Sequence, residues 1–555
     1  MPKNNKDEAN VRRSTPGLWV TAGVSIATTL ILALSRLAGA TTINANSASH
    51  SDVAAAIASA ADGDIVIMPG GTMTWTRTLP INKAITLQGA GVGSTIIKDA
   101  VQSGQLILWT LKAGYASRLT GIEFQDGGRI NPAPAPGGVL RVEASNTNGS
   151  SFRWDHCSWQ GPNGFPVFDT VIGVIDHNTF GPTGQYVMIY VYGSFWDGAG
   201  QDGDGSWAAP TGFGSSQWLF FEDNTWNNSD PTYTKGAIDS ENGGRWVLRY
   251  NTINACIPSN HGTESGGRGR GCRAMEIYNN TFTSSINGTV GGSRGGSLVV
   301  HDNVINGYFG QKNWDLGNYR NYWSFSPWGG ADGTNPWDVN DPTIFFTGTA
   351  TANSNGGTTV QVSGANWTPN QWAGYTLRRV TAGSTVNFGW IYSNTANTIS
   401  YSGGNYGPNM SFVAGDSLEI RKVIHAMDQP GRGRGSLVRG NPPVRPAGWN
   451  DQVTEPCYQW NNGAMHFQPG PGIRPGDYFD NTPMPGYTPY TYPHPLTKGL
   501  PPPGQMTRNA KGNSQHNLRE TRRPWGGKEL DRKKAKKKKE SPTNERAEGQ
   551  ANPGN

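Results

Sequence analysis

The chain has 555 residues, 76 of them glycine and 20 tryptophan, and only 15% are charged. Glycine at about twice its usual share and charge below the usual ~25% point to short strands joined by many turns, with aromatic side chains left over for a surface. Aromatic and β-branched residues fill the middle of the chain and exclude disorder there. The net charge of +6 sits at the ends: residues 1–40 carry +3 and residues 505–555 carry +8, which leaves the intervening chain at −5. The basic balance therefore gives no ground for a nucleic-acid-binding fold.

Residues 1–40 read as an export signal. Lys3, Lys6, Arg12 and Arg13 make a positive start, residues 18–34 are largely apolar, and Ala38-Gly39-Ala40 fits a small-x-small cleavage pattern. The rival is an uncleaved anchor, since the apolar stretch nears bilayer-spanning length; its Thr and Ser residues and Ala40 favour removal. No later stretch is apolar enough to span a membrane, so a secreted or cell-surface protein is expected. Next, Ser51-Asp52 ahead of Val53, Ala56 and Ile57 predicts a capped amphipathic helix. Gly63-Asp64, a buried strand over 65–68 and Pro69-Gly70-Gly71 follow.

A short unit then recurs, alternating apolar positions ahead of an Asn: VIDHNTF, FFEDNTW, VLRYNTI, EIYNNTF and VVHDNVI, with WDHCSW as a variant. The aligned positions are Cys157, Asn178, Asn224, Asn251, Asn280 and Asn303, spaced by 21, 46, 27, 29 and 23 residues. Steps in the twenties suit one coil of a solenoid, and the 46 implies a long loop or a coil lacking the Asn. Ile175, Phe221, Leu248, Ile277 and Val300, three residues before each Asn, supply a core-facing column. Asn tolerates the left-handed backbone of a tight turn, and stacked amides can donate to one neighbour while accepting from the other. The expected fold is all-β: a right-handed parallel β-helix over 41–346 with an N-terminal capping helix. The order helix, DGDIVIMPGG and ITLQGAG, together with the Asn turns, resembles the pectate-lyase-like β-helix superfamily over about residues 43–309. That resemblance implies the fold, and it leaves the reaction open among lyases, hydrolases, esterases and non-enzymatic proteins.

Export permits disulfides, and Cys256 and Cys272 bracket a Gly- and Arg-rich segment, so a bridge is expected there. No CxxC pair or zinc-spaced His/Cys cluster occurs. Alternation such as TVQV and NTISYS over residues 347–424 predicts a small inserted β domain. Coil-like sequence resumes within 425–504, at Cys457 to Asn462, before a Pro-rich segment. The tail over 505–555, with its lysine run at 536–539, is expected to be disordered.

Two clusters carry possible chemistry. Outward positions two residues before each turn hold Asp155, Asp176 and Glu222. Stacked carboxylates there need a cation such as Ca²⁺ or an Arg to neutralise them; the alternative is that the long step separates Glu222 and the acids are solvated. The sharper cluster is Lys235, Asp239 and Glu241, followed one coil later by His261 and then Arg268, Arg270 and Arg273. Arg's planar fork suits the carboxylate of a uronic acid; the alternative is a surface salt-bridge network. For β-elimination on an extracellular polysaccharide, one of these arginines would neutralise the uronate while His261 or Lys235 takes the C5 proton. A glycoside hydrolase using Asp239, Glu241 or Glu264 is the second expectation, and a non-catalytic glycan binder with exposed Trp is the third.

Overall fold

The structure is a computed structural model that describes residues 40–131, 137–144, 150–182, 187–193, 207, 210–228, 230, 232, 234–264, 269–286, 288–307, 312–326, 328–352, 358–381, 388–402, 410–434, 439–440, 443–444 and 452–500. The expected leader, apart from Ala40, and the basic tail lie outside the described residues. Among the described residues no helix is long and apolar enough to cross a membrane.

Strands form where buried and half-buried residues alternate, as in Thr95–Asp99 and Ile107–Leu111. They assemble into three all-parallel sheets of twelve, nine and seven strands. The chain visits these in rotation: Ile65–Ile67 lies in the twelve-stranded sheet, Gly71–Trp75 in the nine-stranded one and Leu79–Ile81 in the seven-stranded one. Thr86–Gln88 then returns to the first. Long parallel sheets entered in this order are compatible with a β-helix solenoid.

The turn asparagines form one stacked column. Side-chain Nδ2 donates to the next Oδ1 from Asn178 to Asn224 (3.2 Å), Asn224 to Asn251 (3.2 Å), Asn251 to Asn280 (2.9 Å) and Asn280 to Asn303 (3.0 Å). Cys157 completes the column by donating its backbone N–H to Asn178 Oδ1. The left-handed residue is not the Asn but the one before it: His156, His177, Asp223, Tyr250, Asn279 and Asp302 have φ between 50° and 56°. That bend points each Asn side chain into the stack, where it is buried.

The 46-residue step separates nothing in space, because Asp176 pairs directly with Glu222 in the ladder. After Asn303 the column resumes at Asn462, which accepts from Asn303 Nδ2 at 2.9 Å, and Val299 pairs with Tyr458. In between, Phe346–Thr349 through Ser417–Arg421 form a six-stranded antiparallel sheet around its own cluster, including Leu377, Ile391, Ile399 and Ile420.

The helix spans His50–Ser59 and is capped by Ser49, two residues ahead of the expected Ser51; Val53, Ala56 and Ile57 join the main core. Tryptophan fills that core rather than a surface. Trp75, Trp109, Trp154, Trp159, Trp226 and Trp246 are fully buried, and Phe180 stacks on Trp226 at 4.9 Å. Cys256 and Cys272 are not bridged. Each thiol turns to a carbonyl oxygen, of Asn254 at 3.4 Å and of Gly244 at 3.3 Å. Burial pushes the Cys272 thiol up to about 12, and ion pairs rather than a disulfide fix the end of the segment that it closes.

Candidate functional site

The seven-stranded sheet ends in Lys235–Ser240 and Cys256–Pro258, and a bridge between Ser259 and Gly292 carries it into Gly291–Ser293, Asn313–Leu316 and His466–Pro469. Across this junction runs a groove of about 530 Å³, lined among others by Tyr190, Asp239, His261, Arg294, Asp315 and Tyr319.

Strand pairing places the first two candidate groups. His261 donates its backbone N–H to Ser240 and accepts at its carbonyl from Cys272, so it is held beside the end of the Asp239 strand. His261 Nε2 lies 3.5 Å from Asp239 Oδ2, and Nδ1 lies 3.7 Å from Glu241 Oε2. Burial alone would lower the imidazole pKa, but the two carboxylates outweigh it and raise it above the ordinary 6.5. The structure thus brings together Asp239, Glu241 and His261, with Asp239 and His261 facing the groove.

It does not bring Arg270 or Arg273 there. The Arg270 guanidinium is buried in a two-point pair with Asp428, both bonds 2.7 Å, and Arg273 pairs with Glu455 at 2.6 Å. Both lie over the Trp207 ring. These arginines bind the returning chain to the coil, so their charge is already spent. Arg268 lies outside the described residues, and the backbone of Lys235 pairs with Cys256.

The arginine of the groove is Arg294. Its Nη1 meets Glu264 Oε1 at 3.1 Å, its Nε donates to the Asn260 carbonyl, and its guanidinium lies 4.8 Å from the Tyr319 ring centre. A Cβ on Gly262 would sit 2.3 Å from the Arg294 carbonyl oxygen, so glycine is needed for this approach. Arg294 sits in GGSRGGS, one coil after the Gly-rich segment at 262–271, and that echo was the signal available in the sequence. Asp315 was also missed, because its strand carries no Asn turn. Burial pushes its carboxyl up to about 6.

The acid column is neutralised by arginine. Asp155, Asp176 and Glu222 lie on successive coils, all buried. Arg118 takes Asp155 at 2.5 Å, Arg153 takes Asp176 at 2.8 Å, and Arg249 takes Glu222 at 2.6 Å. Burial would raise the Asp155 pKa, but Arg118 and Arg153 hold it below the usual carboxylate range. The acids are therefore neither separated nor solvated, and their oxygens are committed to guanidinium groups. Among the described residues no group of three or more His, Cys, Asp or Glu side chains is arranged to hold a metal ion, so this column does not fit Ca²⁺.

No known protein family matches the sequence, and no curated protein matches it. Among solved structures, ORF18 of Geobacillus virus E2 is similar at 12% identity, over 69% of this chain and 80% of its own, with a TM-score of 0.29. That likeness is too loose to carry an argument about activity.

Proposed function

We propose that the protein is an exported polysaccharide lyase that cleaves a uronic-acid-containing glycan by β-elimination. Its scaffold is a right-handed parallel β-helix of the pectate-lyase-like kind, capped by the helix at 50–59 and interrupted by a small β domain at 347–424. The observation that carries this reading is the meeting of Asp239, His261 and Arg294 in one groove walled by tyrosines. Arg294 pairs with Glu264 but, unlike the fully buried Arg270 and Arg273, faces the groove. It takes the role expected of Arg268, Arg270 or Arg273 by turning its remaining N–H groups to the uronate carboxylate. The Asp239–His261 pair takes the C5 proton, the C5–H electrons form the C4–C5 double bond, and the C4–O bond breaks onto a leaving oxygen that a proton then quenches.

Hydrolysis is the second reading, favoured by the raised pKa of Asp315 in the same groove. Against it, Asp239 and Asp315 stand three strand spacings apart, about 14 Å, beyond the roughly 9.5 Å that an inverting pair spans.

A panel of acidic and neutral polysaccharides separates these readings. A lyase gives products absorbing in the ultraviolet, a hydrolase gives only new reducing ends, and a binder gives neither. His261→Ala is expected to abolish turnover, and the wild-type rate to rise with pH through a midpoint above 6.5, as a base with a raised pKa requires. Undiminished turnover by His261→Ala overturns the assignment.

A further inference from the structure

His156 and His177 occupy the left-handed position of two adjacent coils, at φ 50° and 55°. Four other coils place Asp223, Asn279, Asp302 or Asn461 there, and like histidine these residues tolerate this backbone. The remaining coil places Tyr250 there, stacked on Tyr492 at 3.6 Å. The histidine side chains are 59% and 49% exposed. Their rings are parallel within 3° at a centroid distance of 5.0 Å.

Each ring is also oriented from behind. His156 Nδ1 lies 2.7 Å from Asp155 Oδ2, and His177 Nδ1 lies 2.9 Å from Asp176 Oδ2. Those carboxylates are buried and accept from Arg118 and Arg153. With Nδ1 donating to the carboxylate, the lone pair of each neutral ring is on Nε2. A carboxylate behind an imidazole is the arrangement that fixes the tautomer and raises the donor strength of a metal-binding histidine.

We propose that His156 and His177 form a surface site for a divalent transition metal of the zinc, copper or nickel type, through the two Nε2 atoms. Imidazole donors select these ions over calcium. With bonds of 2.0–2.1 Å and a tetrahedral angle the two nitrogens stand about 3.4 Å apart, so the rings must tilt out of their parallel stack toward each other. Each ring can make that movement by swinging about its carboxylate contact. Water fills the remaining positions.

The site is tested by titrating Zn²⁺, and separately Ca²⁺, into the untagged full chain by calorimetry, alongside His156→Asn and His177→Asn. Asparagine suits the left-handed backbone, so both variants are expected to fold and, without metal, to melt no lower than wild type. One equivalent of Zn²⁺ bound at least tenfold more tightly by wild type than by either variant, with no matching Ca²⁺ heat, supports the site. Equal Zn²⁺ affinity in wild type and both variants, or no saturable binding by wild type, overturns it.

Discussion

Asn251 donates Nδ2 to the carbonyls of Phe221 and Arg249 and to Asn280 Oδ1, while its own Oδ1 accepts from the backbone N–H and Nδ2 of Asn224. Each group is buried, so an orphan costs about 1–3 kcal/mol. Asn251→Ala is expected to destabilise the protein by about 3 kcal/mol or more, read from the shift of a urea unfolding curve; a loss below about 1 kcal/mol would show that the column is not coupled. The column was legible because the Asn recurs in register. Which residue bends was misread, although Asp, Asn or His before every member of the column but Asn251 already carried the signal. At the groove, Asp239 and His261 were legible because one coil separates them. Arg270 and Arg273 were not, because their partners Asp428 and Glu455 lie 158 and 182 residues away and no local pattern announces them.

The segment at 483–500 runs over the outer face of the twelve-stranded sheet, where Leu496 packs with Val174, Phe220 and Val247. Charges pin it: Arg249 donates to the Tyr490 and Thr491 carbonyls, Arg153 to those of Leu496 and Thr497, and Glu222 accepts from the His494 N–H. The proline-rich composition marked an end to coils but not this docking, since the receiving arginines sit hundreds of residues earlier. Glu276, in Ala274–Tyr278, accepts from Tyr487 Oη at 2.6 Å and from the Gly214 N–H at 2.7 Å. Burial outweighs both bonds and pushes its carboxyl up from 4.5 to about 7. The folded state then holds this proton more tightly than the unfolded chain. Its contribution is fully present below 4.5 and is lost as pH rises through about 7. Glu276→Gln removes that dependence and is expected to exceed wild-type stability at pH 8 by up to about 3 kcal/mol. Urea unfolding of both proteins from pH 5 to 8 checks this, and parallel curves would remove Glu276 from the account.

At the scale of the whole molecule, the repeat made the coils legible and its interruptions opaque, because period and register say nothing about how far the chain wanders before it returns. The largest excursion has ends that meet. Asn340 pairs with Val423 in an antiparallel ladder, and the Asp341 N–H donates to the Lys422 carbonyl at 2.9 Å. The six-stranded sheet between them has a cluster of its own, and its contacts outward include the Arg378–Asp332 pair at 2.9 Å and Phe388 against Gly330. Losing this partly buried ion pair costs about 1 kcal/mol, and shortening a loop between fixed ends changes closure entropy little. Replacing residues 342–421 by Asn-Gly, which suits a two-residue hairpin, is therefore expected to leave the parallel sheets intact and lower stability by about 1–2 kcal/mol. Far-UV circular dichroism and urea unfolding of the shortened chain measure this, and glycan binding in the groove should survive. An insoluble or unfolded product would show that the antiparallel sheet and the parallel sheets share one cooperative core.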